Sequence, residues 1–187
     1  MKRALLTVLL ALAVLAAGMG VNEWQEGRVA TAQIPTTVEF GRDSRVHPVT
    51  VHLHGARPVA TLAGSGGETL TTSGLWVVLD LSYAADDQEA FVSSMLLVDG
   101  QGRQFEVSGR VPTGLWLAEP DLWQRGEVAF EVPTDALGEM SLEIYVESRW
   151  LHAPVRFGRA QVYLDPGDVE PGPVELTRRE LLPGGRR

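Results

Sequence analysis

The chain has 187 residues, 44% of them apolar, with 24 acidic against 16 basic side chains and a formal charge of -8. That composition supports a hydrophobic core and, with no basic patch to offset the negative charge, excludes a nucleic-acid partner. Cysteine is absent, which removes disulfides, thiolate zinc sites, iron–sulfur clusters, thiol nucleophiles and a cysteine-linked lipid anchor.

Lys2 and Arg3 precede an apolar run over residues 4–21 that is broken only by Thr7 and small glycines. As a helix this run would span roughly 27 Å, close to the ~30 Å of bilayer hydrocarbon. Basic residues before it and Glu23 and Glu26 after it orient the amino end inward. Residues 1–22 are therefore expected to be a transmembrane anchor or a signal peptide. No small-x-small triplet stands at the usual distance past the run, which favours an uncleaved anchor. The expected placement is the cell membrane, single-pass, with the carboxyl-terminal domain outside; secretion after cleavage is the alternative. Residues 23–44, with Trp24 near the membrane run and Pro35 in an aperiodic stretch, read as a connector.

Period-2 patterning begins next. Val49, Val51 and Leu53 alternate with Thr50 and His52, giving a strand with one dry and one wet face. A second short strand is expected over 58–62, before the glycine-rich turn at 64–67. Residues 75–83 carry Leu75, Val77, Leu79, Leu81 and Tyr83 on one face, while Trp76 and Val78 make the start of the other face apolar too. That pattern predicts a central strand partly covered on both sides. Strands over 91–98 and 103–107 flank Asp99-Gly100, a favourable hairpin turn. Residues 108–125 read as a long loop containing Leu115, Trp116, Leu122 and Trp123. Strands are expected again over 127–132, 140–146, 155–157 and 161–164, with Thr134 capping a turn after Pro133. Residues 166–187 read as a flexible tail. The sum is an all-β domain over 45–165, a β-sandwich of seven or eight strands.

Three segments stand out in order: residues 74–81 (Gly-Leu-Trp-Val-Val-Leu-Asp-Leu), 96–105 (Leu-Leu-Val-Asp-Gly-Gln-Gly-Arg-Gln-Phe) and 126–133 (Gly-Glu-Val-Ala-Phe-Glu-Val-Pro). In these the chain resembles an uncharacterised immunoglobulin-like domain family of exported or lipid-anchored bacterial proteins, over roughly residues 45–165. The resemblance implies an immunoglobulin-like β-sandwich outside the cytoplasm with no catalytic residues to carry over. It also implies Trp76 packed in the core or against the long loop, and a tight turn at Asp99 to Arg103. The chain departs from the family pattern in lacking a lipid-modified cysteine, and the pattern does not explain the loop at 108–125.

For chemistry, His52 and His54 lie two apart on one strand face with His47 just before. Two imidazoles on one face can ligate zinc or copper if a neighbour supplies a third ligand; otherwise they are ordinary solvent-facing residues. Ser65 lacks the spacing of a nucleophile elbow, and Asp86, Asp87 and Glu89 read as solvated acids in a polar connection. Trp116 and Trp123, with Leu115 and Leu122, form either a binding surface or a lid over one end of the sandwich. No cofactor is implied, and no competent catalytic set is visible. The expected function is a non-catalytic, extracytoplasmic, membrane-tethered module that uses residues 4–21 as its membrane contact and binds or stabilises another protein. The alternative is a small metal-handling or hydrolytic envelope protein.

Overall fold

Alternating apolar and polar side chains give strands whose two faces differ, and such strands are stable only when one face is covered. In the computed structural model, which describes residues 35–111, 116–148 and 155–182, this is achieved by two sheets with the main core between them. The described residues belong to the unit that begins at Pro35. One sheet has the order β1 (Thr36–Thr37), β12 (Arg156–Leu164), β11 (Gly138–Ser148), β7 (Ala90–Asp99) and β8 (Gln104–Glu106). Its sixth strand, β9 (Trp116–Ala118), also pairs with β7. The other sheet has the order β13 (Glu180–Leu181), β10 (Gln124–Val132), β6 (Leu75–Ala85), β3 (Val49–Val59) and β2 (Asp43–Val46). A short ribbon joins β4 (Leu62–Ala63) to β5 (Thr69–Leu70). All pairings are antiparallel except β1 with β12.

The main core is filled from both sheets. Leu53, Leu81 and Phe130 come from one, and Leu97, Leu142 and Ile144 from the other, all fully buried. A second cluster of Val59, Leu62, Trp76, Val78, Val111 and Ala129 occupies the opposite face of the five-stranded sheet. The apolar start of β6 on both faces requires this second cover: Val77 and Leu79 belong to the first core, Trp76 and Val78 to the second. Arg110 lies over the Trp76 ring, 5.3 Å from its centroid.

The carboxyl-terminal stretch supplies much of the cover. Residues expected as a tail run along β3 and the ribbon, where Ala60 N–H donates to Glu170 O (2.8 Å) and Ala63 N–H to Val174 O (2.8 Å). Further on, Glu127 N–H donates to Thr177 O (3.1 Å) and Leu182 N–H to Trp123 O (2.8 Å). Gly172 turns this stretch at φ +72°, and a Cβ there would stand 2.3 Å from Thr61 O. Only glycine meets both conditions.

Several expectations are corrected. The described residues hold thirteen strands rather than seven or eight. The additions are short pieces, such as β1, β9 and β13, that join a sheet by backbone bonds and need no side-chain alternation. The strand expected over 58–62 is divided: Pro58 and Val59 end β3, and Leu62 opens β4. The strands expected at 155–157 and 161–164 are one, β12. Thr134 begins a single 3-10 turn, but Pro133 holds the cap position and no side chain caps it.

The largest correction concerns the membrane. Among the described residues no helix is long and apolar enough to cross a bilayer; the helical elements are two 3-10 turns, at Thr134–Ala136 and Pro166–Asp168. The anchor read at residues 1–22 lies outside the described residues. The single-pass placement, the membrane contact through residues 4–21 and the tethered role all rest on that segment, and no described helix supports them.

Candidate functional site

The outer face of the five-stranded sheet divides into two halves. One half is the covered apolar cluster around Trp76. The other is polar, because β3 and β6 change character along their length. His52 lies opposite Ser82 of β6 and, on its other side, opposite Asp43 of β2. A β-bulge between Leu53 and Gly55 inserts His54 as an extra residue. The bulge also reverses which residues face inward, so that Val49, Val51 and Leu53 and then Ala56 point to the main core, while Arg57 and Val59 turn outward.

Two imidazoles thus meet on the polar half, with ring centroids 4.6 Å apart and planes tilted by 42°. Each is held by a different partner. His52 Nδ1 lies 2.8 Å from Asp43 Oδ1. Because a carboxylate only accepts, the neutral ring that makes this bond carries its proton on Nδ1 and keeps the lone pair on Nε2. His54 Nε2 lies 2.7 Å from Ser82 Oγ. When Nε2–H donates to that hydroxyl, Nδ1 is the nitrogen left with a lone pair. Burial, followed by the positive charge of Arg125, lowers the His54 pKa from its ordinary 6.5, against a smaller opposing effect of Asp80. Arg125 and Asp80 close the site on the β10 side as a two-pronged pair, Nε to Oδ1 at 3.0 Å and Nη2 to Oδ2 at 2.6 Å.

His47 goes elsewhere. It sits in the turn from β2 to β3 with Nδ1 3.4 Å from Asp86 Oδ2. The same carboxylate accepts from Arg45 Nε (2.7 Å) and Thr50 Oγ1 (2.8 Å). Burial pushes the Asp86 pKa up, but bonds from Arg45, Thr50 and His47 outweigh it and hold the acid below its ordinary value. Asp86 is therefore a structural anchor with a side chain 12% exposed, not the solvated loop acid its sequence context suggested. Among the described residues no group of three or more His, Asp and Glu side chains is arranged to hold a metal ion.

The Ser82 to His54 contact has the form of a nucleophile and its base, yet Ser82 is fully buried. Its hydroxyl has no route to a substrate, so the contact orients the imidazole.

Of the aromatic loop, Leu115 lies outside the described residues, and Trp116 opens β9 opposite Val92. Leu122 and Trp123 are half-buried, and the Trp123 carbonyl receives Leu182 N–H. The large apolar side chains exposed among the described residues are Phe91, Tyr163 and Leu181, which lie outside this loop. The tether of the expected protein-binding module falls on residues outside the described ones, and no described helix takes its place. Sequence reasoning missed Asp43 and Ser82: a charged or hydroxyl residue across a ladder is invisible until strand register is known.

Comparisons with protein-family models, with curated proteins and with solved structures found no match to this chain, so its site is read from geometry alone.

Proposed function

We propose that the domain is a non-enzymatic metal-handling protein in which His52 and His54 take a divalent transition ion, Cu(II) ahead of Zn(II), in exchange with solvent. The reading rests on one observation: the two imidazoles share a face at 4.6 Å between centroids, while Asp43 holds the tautomer of His52. Imidazole suits copper and zinc, and copper binds the more tightly of the two at a given nitrogen site. A carboxylate behind a ligating histidine is the usual device for orienting the ring and raising its basicity. Structural zinc sites enclose the ion with four protein ligands. Two imidazoles leave the remaining positions to water, which suits acceptance and release rather than permanent retention.

The test is titration of the full chain with Cu(II), followed by electron paramagnetic resonance. One equivalent is expected to give a signal with couplings from two imidazole nitrogens. His52→Ala and His54→Ala should each weaken binding by about tenfold or more, whereas His47→Ala should leave it unchanged. A one-nitrogen signal, or an unchanged affinity in the His52/His54 double variant, overturns the reading.

A further inference from the structure

At one edge of the six-stranded sheet, β1 covers β12 only at Gly158 and Arg159. Val38 N–H donates to Arg159 O at 2.9 Å, so the backbone groups of the odd-numbered residues of β12 point outward, away from β11. The next ones along, on Gln161 and Tyr163, have no strand partner on that side among the described residues. Natural sheets guard such edges with short strands, charged side chains or proline. The other edges follow this rule. β2 carries Asp43 and Arg45, β8 and β9 have three residues each, and β13 has two, one of them Glu180. The run Ala160–Leu164 has no charge, no proline and no glycine, and Val162 and Tyr163 within it are strong strand formers. Tyr163 is also 69% exposed, more than any other large apolar side chain among the described residues.

We propose that this edge is the contact between two copies of the chain, which join as an antiparallel pair of β12 strands about a twofold axis. Centring the axis on Tyr163 uses the groups left open. Tyr163 then lies opposite the partner's Tyr163, and each exchanges N–H and C=O bonds with the other. Gln161 lies opposite the partner's Asp165, which is extended at φ -69° and ψ 123° before the chain turns away at Pro166. The paired segment stops short of Arg159, where β1 pairs, so β1 stays in place. Two phenol rings opposite each other on the outer face form an aromatic cross-strand pair. A second copy is the occupant because the strand is its own complement: open backbone groups at 161 and 163, with an exposed ring at the centre. The run also adds no charge to the repulsion between two chains of formal charge -8. The contact is independent of His52 and His54, and neither reading requires the other.

Sedimentation of the full chain at rising concentration reads the association, and a reversible monomer–dimer equilibrium is expected for so short a contact. Tyr163→Lys sets two cations opposite each other and should weaken the dimer by about tenfold or more, whereas Tyr163→Phe should keep it. Gln161→Pro is the second variant. It removes an outward N–H, leaves the ladder with β11 intact, and should weaken the dimer likewise. Thermal melting checks that each variant is folded. Because the chain has no cysteine, a single Tyr163→Cys substitution locates the contact. The paired Cα atoms, about 5.5 Å apart, are within disulfide reach, so a covalent dimer should form under mild oxidation. Phe91→Cys, exposed on the same sheet but on β7, should remain monomeric. The proposal is overturned by a monomer at all concentrations up to about 1 mM, by undiminished association in folded Y163K and Q161P proteins, or by Phe91→Cys cross-linking as fast as Tyr163→Cys.

Discussion

At the scale of single side chains, hydrogen-bond partners decide what His52 and His54 can do. Asp43 selects the tautomer that leaves His52 Nε2 free, and it reaches His52 only because β2 and β3 pair in that register. Replacing Asp43 with Ala is expected to weaken Cu(II) binding by about tenfold while the melting temperature, with Asp43 at the edge of the sheet, stays close to that of the parent; calorimetric titration measures the first and thermal melting the second. Asp86 plays a different part. Its folded pKa lies below the ordinary 3.8 because Arg45, Thr50 and His47 surround the carboxylate. The stability it contributes is therefore complete above that ordinary value and is lost as pH falls through the folded one. Asp86→Asn should lower stability at neutral pH and flatten the acid limb of the denaturation curve below about pH 4. An unchanged acid limb would remove Asp86 from the account. None of these partnerships was legible in the chain, since Asp43 and Ser82 are distant from the imidazoles in sequence and meet them only across ladders.

Among the elements, β3 and β6 organise the molecule because each serves two cores. The period-2 pattern of residues 49–53 and 75–83 was enough to locate them, and the two-sided apolar start of β6 correctly indicated cover on both faces. Likewise Val128, Phe130 and Val132 and the run from Met140 to Val146 mark β10 and β11, and Asp99-Gly100 marks the turn between β7 and β8. What escaped was carried by backbone rather than by side-chain pattern. The bulge at His54 leaves no compositional sign, and the carboxyl-terminal stretch is Pro- and Gly-rich and polar, so its docking rests on bonds such as Glu170 N–H to Pro58 O at 3.0 Å. Two substitutions test the two cores separately. Phe130→Ala should destabilise the main core by about 3–5 kcal/mol. Val174→Asp should cost about 1–3 kcal/mol by placing a carboxylate against the Trp76 cluster. Denaturant melts of both variants would measure the losses. A Val174→Asp protein as stable as the parent would mean that the stretch does not cover the second core in solution.

For the molecule as a whole, the five-stranded sheet is the element that separates structural work from chemistry. Its inner face and half of its outer face are buried, while the remainder presents His52, His54, Asp80 and Arg125. Apolar patterning predicted the all-β character but not this division, because polar positions on a wet face look alike in sequence whether or not they converge. The metal reading depends on that convergence, and nuclear magnetic resonance of the imidazole nitrogens of the full chain during Zn(II) addition measures it most directly. The expected result is perturbation of His52 Nε2 and His54 Nδ1 together, with His47 unmoved. Zinc that leaves both of those nitrogens unshifted, or that shifts His47 instead, would contradict the account.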